Sequence, residues 1–332
     1  MDKDKHRKSN VSVAVIIPAY NAEAHLEQAV KSARAQSLTP EEIVVVNDGS
    51  SDRTAEIAED LGVKVLSRSN AGVSAARNSG IGMTDCEWIA FLDADDVWEP
   101  DKLERQFSAI NAHPQAGLVT TDFCQFNDEG EIVHASFLSQ DGRYASIVKK
   151  KLGDKLSLIQ ESSQGFSNGG YFLVPSAVVV RRALVRKAGL FDESLRYAED
   201  LEFFLRVLKY TPILVVEEPL VRYRVHGNNA SNDRLKMALG VLATTDRIFS
   251  SPERYESDAT VYAQSLERRN IPIAGRELLE IGEFAEARRV LSRRFGVGMG
   301  LRSFSLWLSA VLGPMPFHFA LSLKRKLSGK RK

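Results

Sequence analysis

Apolar residues along the first hundred positions follow two alternating rhythms. Val13-Ala14-Val15-Ile16-Ile17 and Ile43-Val44-Val45-Val46 are continuous runs of strand length with no polar face, the pattern of strands buried on both sides of a parallel sheet. After each run the spacing changes to a helical repeat. Ala22, Leu26, Ala29, Val30 and Ala33 form one apolar stripe, and Thr54, Ile57, Ala58 and Leu61 form another. The alternation continues with a strand over 63–66, a helix over 72–81 and a strand over 88–92. This predicts an α/β fold with a doubly wound, mostly parallel sheet flanked by helices.

In such sheets ligands bind outside the carboxyl ends of the strands, and polar residues gather there. Pro18-Ala19-Tyr20-Asn21 follows the first strand, Asn47-Asp48-Gly49-Ser50-Ser51-Asp52 the second, and Asp93-Ala94-Asp95-Asp96 the strand ending at Leu92. Clustered carboxylates repel one another, so such a group binds a divalent metal, pairs with Lys or Arg, or sits in water. Mg²⁺ and Mn²⁺ commonly take one or two protein carboxylates and complete their shell with substrate phosphate, which makes Asp95 a candidate ligand. A plain turn uses the same residue types, with Asp96 capping the helix after Pro100 and Asp52 capping the helix after it. Arg77 lies on a helix starting near Gly72, where it meets either phosphate or an ordinary ion-pair partner.

Seven pieces stand in an order that resembles family 2 glycosyltransferases of the GT-A fold: residues 15–21, 46–52, 70–78, 91–96, 189–193, 198–200 and 223–226. The resemblance covers about residues 11–230. It implies an inverting enzyme that uses a nucleotide-sugar donor and a divalent metal, Mn²⁺ or Mg²⁺. It places Pro18, Tyr20 and Asn21 around the nucleotide and Asp48 on the base, where an acceptor-only carboxylate suits the imide NH of uracil and so favours a UDP-sugar. Arg68 and Arg77 fall near base or phosphates, Asp93 on the ribose, and Asp95 on the metal with His226 closing over it. Asp200 is the implied general base and Glu199 its support. Their helix carries the apolar stripe Leu201, Phe204, Leu205 and Leu208, although acidic residues at a helix start also simply favour its positive end. The alternative function is a noncatalytic nucleotide-sugar-binding or scaffold protein, against which the intact Asp93, Asp95 and Asp200 argue.

Three domains are expected: a catalytic domain over 11–230, a helical extension over 231–300, and an apolar segment with a basic tail over 301–332. Leu278, Ile281, Phe284, Ala287, Val290 and Leu291 predict a helix pair turning at Gly282-Glu283, like one tetratricopeptide hairpin. Residues 301–323 are long enough to span a bilayer, but Pro314 and Pro316 interrupt them. Two readings follow: a monotopic segment held to anionic lipid by the tail, or a helix docked on the catalytic domain.

The net charge of +1 hides an asymmetry, because six Lys and Arg lie in the last nine residues and leave 38 basic against 43 acidic residues before them. A mildly acidic body argues against a nucleic-acid channel. Two cysteines and a charged first decapeptide without an apolar core point to a reducing cytoplasm, peripheral at the inner face of the cell membrane. The acceptor, a glycan or lipid-linked glycan, is expected near residues 162–172, rich in Gly, Ser and aromatics, though a flexible loop has the same composition.

Overall fold

The structure, a computed structural model, describes residues 12–140, 142, 144–160, 165–166, 171–227, 229–293 and 301–312. Residues 1–10, most of the 162–172 stretch and everything from 313 onward, including the basic tail, lie outside the described residues. The chain divides into two units, Met1–His226 with Glu253–Glu256, and Gly227–Pro252 with Ser257–Lys332.

In the first unit, β1 (Val13–Ala19), β2 (Glu42–Asn47), β3 (Lys64–Ser67) and β4 (Trp88–Phe91) are mutually parallel, with β1 between β2 and β4. β1 is buried along its whole length, which is why its sequence shows no polar face. The connections carry α1 (Leu26–Arg34), α2 (Thr54–Asp60) and α3 (Val73–Gly82). Beyond β4 the sheet becomes mixed. β10 (Val179–Arg181) lies antiparallel between β4 and β6 (Leu118–Phe126), and β11 (Ile213–Arg224) pairs in parallel with β6. β9 (Leu156–Ile159) and β8 (Lys150–Gly153) complete the order β3-β2-β1-β4-β10-β6-β11-β9-β8. Short β5 (Val97–Trp98) and β7 (Ile132–His134) join β11 and β6.

β11 is a long strand even though its apolar pattern is broken in the middle. It runs through Glu217, Glu218 and Pro219, because register shifts on either side of Pro219 absorb a residue that cannot donate to the ladder. The long strand carries Arg224, and His226 just beyond it, to the same sheet edge as Asp95.

One face of the sheet packs Leu26 and Val30 of α1 and Leu103 and Phe107 of α4 (Lys102–Ala112) into a single apolar core. The opposite side of β4 presents Phe91 edge-on to Phe191, which stacks on Phe203 at 3.9 Å. Phe203 belongs to α6 (Glu199–Leu208), whose far end is fixed by buried Arg206. Its guanidinium donates to Glu202 at 2.7 Å and to the carbonyls of Ala188, Gly189 and Leu190. These are carbonyls that the end of α5 (Arg182–Ala188) leaves unpaired. Cys86 and Cys124 are buried free thiols.

The second unit is helical: α7 (Arg234–Ser250), α8 (Ala259–Glu280), α9 (Phe284–Ser292) and α10 (Leu301–Leu312). α8 and α9 turn at Gly282, whose φ of 86° suits a residue without a Cβ. Leu242, Ile271, Leu278, Leu279, Val290, Leu291 and Ala310 form their shared core. No helix among the described residues is long and apolar enough to cross a membrane.

Candidate active site

The ends of β1, β2 and β4 bring the sequence-predicted residues to one edge in two groups. In the first, Asn21 adopts φ 48°, and its Oδ1 accepts from the Ser51 N–H at 2.9 Å while its own N–H donates to Ser50 Oγ. Asn21 is thus a clip between the loops after β1 and β2. Beside it, at the end of Pro18's strand, Tyr20 stands 55% exposed. Asp48 is buried, and its Oδ2 accepts from the Gly72 N–H at 2.7 Å while both oxygens lie 3.1 Å from the Ala71 nitrogen. Gly49, at φ 75°, permits this closeness, since a Cβ there would stand 2.7 Å from the Asn70 nitrogen. Arg68 Nε lies 3.2 Å from Asp48, and its Nη1 donates to the Ala75 carbonyl and Ser79 Oγ on α3.

The second group centres on Arg77, which is 3% exposed. Nη2 donates to Asp93 Oδ1 at 2.8 Å and Nη1 to Glu199 Oε1 at 2.9 Å, so one cation joins the loop after β4 to the start of α6. Burial works against its charge, but Asp93 and Glu199 more than offset this and hold it protonated. Next to Glu199, half-buried Asp200 has its carboxyl pushed up to about 7, chiefly by burial and then by the charge of Glu199, with Arg77 opposing. Ala198, immediately before this acidic pair, adopts the left-handed φ of 57°, a strained conformation for a residue with a Cβ.

Asp95 Oδ2 lies 3.2 Å from His226 Nε2. Burial, and then the charge of Asp93, raise the Asp95 carboxyl above its ordinary value, so the position favours a nearby cation. Among the described residues no group of three or more His, Cys, Asp or Glu side chains forms a complete metal cage. A carboxylate beside an imidazole nevertheless fits a hard divalent ion whose remaining ligands are phosphate and water.

Asp96 is neither a helix cap nor a residue open to ligand, which corrects the sequence reading of it. α4 starts after Asp101, which makes no side-chain cap, while Asp96 is buried inside the loop. Its Oδ2 accepts from Ser176 Oγ at 2.5 Å and its Oδ1 from the Arg224 N–H at 2.9 Å. Ser176 Oγ also accepts from the Asp93 N–H, and the Ser176 carbonyl accepts from Trp98 Nε1. Arg224 donates further to the Asp95 carbonyl and to Gln28 Oε1. These two residues brace the loop 93–96 from both sides. Ser176 carries no recognisable sequence signal. Arg224 carries a partial signal, because Val221, Tyr223 and Val225 alternate with Arg222 and Arg224 and set both arginines on one face of the strand.

The sequence profile of Glycosyl transferase family 2 matches residues 14–173. An uncharacterized glycosyltransferase of Rickettsia typhi is 33% identical over 226 residues, which is 67% of each chain. The chain belongs to glycosyltransferase family 2. EpsJ of Bacillus subtilis, an uncharacterized glycosyltransferase, is 28% identical over 68% of this chain and 65% of its own. Among solved structures, Staphylococcus aureus TarS 1–349 in complex with UDP-GlcNAc has a TM-score of 0.57 at 19% identity, covering 90% of this chain and 79% of that one. The mannosyltransferase PcManGT of Pyrobaculum calidifontis, in complex with GDP-Man and Mn²⁺, gives the same TM-score and coverage at 16% identity. These two likenesses concern the fold, a GT-A sheet with flanking helices. Family membership makes this family 2 chain an enzyme of glycosyl transfer, which sets aside the noncatalytic alternative.

Proposed function

We propose that the chain is an inverting glycosyltransferase that takes its sugar from a nucleotide-sugar, preferably a UDP-sugar, and transfers it to an acceptor hydroxyl of a cell-surface polysaccharide or lipid-linked glycan. It would work as a peripheral protein at the cytoplasmic face of the membrane. The observation that carries this reading is the Arg77 bridge, which ties donor-side Asp93 to the helix turn bearing Asp200. An acceptor hydroxyl is too weak an acid to attack an anomeric carbon unaided, and a carboxyl raised to about 7 is matched to accept its proton near neutrality.

In the proposed mechanism Asp200 removes the hydroxyl proton as the oxygen attacks the anomeric carbon from the face opposite the leaving nucleoside diphosphate. Glu199, tethered to Arg77, fixes the orientation of that helix turn. Asp48, Tyr20, Pro18 and Asn21 shape the nucleotide end, with Arg68 holding the Asp48 carboxylate in place. Asp93 meets the ribose. Asp95 and His226 would hold a divalent ion, Mn²⁺ or Mg²⁺, which when bound neutralises charge on the diphosphate. The metal-bound PcManGT and the UDP-GlcNAc-bound TarS support a donor of this class. The test is release of nucleoside diphosphate from a panel of UDP-, GDP- and other nucleotide sugars, with and without Mn²⁺. No release from any donor, with or without Mn²⁺, would sink the reading.

A further inference from the structure

α10 is apolar on two sides, and only one of them is covered. Ser303 and Ala310 are buried, and Leu306 and Trp307 pack on the core of the helical unit, with Trp307 Nε1 donating to Ser292 Oγ at 3.1 Å. On the other side Phe304, Leu308, Val311 and Leu312 are 46%, 40%, 41% and 59% exposed. Their spacing of i, i+4, i+7 and i+8 places them on one stripe of the helix. α10 thus packs on the core of its own helical unit and leaves a second apolar stripe exposed.

Charge identifies what that outer stripe meets. From Ala287 to Lys332 the sequence holds eleven Lys and Arg and no Asp or Glu. Arg289 and Arg293 are engaged by Glu286, Asp246 and Glu267, while six of the others are concentrated in the last nine residues. A second copy of this stretch would set cations against cations. An anionic bilayer surface complements both properties at once, because it accepts apolar side chains at the acyl boundary and basic ones at the headgroups. The twelve described residues of α10 extend about 18 Å, and Pro314 and Pro316 follow closely in the sequence, which suits a position along the surface rather than across it.

We propose that the Phe304, Leu308, Val311 and Leu312 face of α10 docks on an anionic lipid surface, with the cations of the sequence from 287 to 332 supplying the electrostatic half of the attachment. This deepens the membrane-side reading above and is independent of the catalytic assignment. The test is flotation of the full chain with phosphatidylcholine vesicles with and without about one third phosphatidylglycerol, at low and high salt. The chain should float with the anionic vesicles only and be released as salt rises.

Phe304→Gln/Leu308→Gln should weaken partitioning by about tenfold or more, since two apolar side chains no longer enter the interface. Lys324→Gln/Arg325→Gln/Lys326→Gln should weaken it by a similar factor at low salt and make the salt dependence shallower. Both variants should keep the parent thermal unfolding midpoint and the parent nucleoside diphosphate release with a soluble acceptor. A parent chain that floats as expected but releases no nucleoside diphosphate would count against the catalytic reading alone. Equal binding to neutral vesicles, or unchanged binding in the Gln pair, would overturn the docking proposal. So would a parent dimer in sedimentation that the Gln pair converts to monomer while vesicle binding persists, because the face would then join two copies.

Discussion

Arg77 and Asp93 lie 2.8 Å apart, with the arginine nearly inaccessible and the aspartate still 27% exposed. The cation is thus built into the protein while its partner keeps one side exposed at the strand ends. Glu199 holds the other guanidinium nitrogen, so the loop after β4 and the first turn of α6 share a single fixed charge.

Removing that charge should affect stability and binding together. Arg77→Met leaves two carboxylates facing each other in a partly dry site, at a cost of about 3 kcal/mol in urea unfolding. Arg77→Lys keeps the charge but offers no planar fork to reach both partners, so it should recover part of the stability and little of the donor affinity. Calorimetric donor binding at parent strength in Arg77→Lys would show that the bridge is structural only.

Asp95→Asn should greatly reduce metal-dependent turnover while leaving the unfolding midpoint near the parent value, because the amide keeps the shape and loses the charge that attracts a cation. His226→Gln should give a smaller loss, with more Mn²⁺ needed for half-maximal rate. Titrating Mn²⁺ against rate separates the two effects, and an unchanged Mn²⁺ response in both variants would exclude this pair as the metal ligands.

The parts legible in the sequence are those whose signal is local. β1, β2 and β4 announce themselves as unbroken apolar runs, and the loops after them carry turn and carboxylate residues within a few positions of the strand end. What was not legible depends on distant partners. Arg77 finds Glu199 from 122 positions away, and nothing near it in sequence distinguishes a buried bridge from a surface arginine. The insertion of β10 between β4 and β6, which makes the sheet mixed, is likewise a nonlocal choice. Glu217-Glu218-Pro219 breaks the apolar pattern within β11, and such a break does not reveal that a bulge can carry the strand through.

The Ser176 brace predicts a loss that a larger side chain cannot restore. Ser176→Ala removes the hydroxyl donor to buried Asp96 and the acceptor for the Asp93 N–H, leaving both without that partner, for about 1–3 kcal/mol. Because the loop also carries Asp95, the KM for donor should rise more than kcat falls. Ser176→Thr keeps the hydroxyl and should recover donor KM more than stability, since its extra methyl enters a fully buried position. A Ser176→Ala enzyme with parent donor KM and only lowered stability would make Ser176 a packing residue.

Asp200 ties rate and stability to the same proton with opposite signs. As a base it acts only when ionised, so kcat/KM should rise about tenfold per pH unit up to about pH 7 and level off above it. For stability, the folded carboxyl stays protonated up to about 7 whereas the unfolded chain releases that proton near its ordinary value of 3.8. Between these values the native state binds more protons than the unfolded state, so this group's contribution to stability falls as pH rises through the window. Asp200→Asn should therefore abolish the acidic limb of the rate profile, lower transfer by about 10²-fold or more and leave nucleotide binding near the parent value. It should also make the protein more stable than the parent at pH 8, where the parent holds a charge that burial disfavours. Melting curves at pH 5 and pH 8 with a parallel rate profile test both halves, and a variant that loses donor binding along with activity would place Asp200 in the donor site.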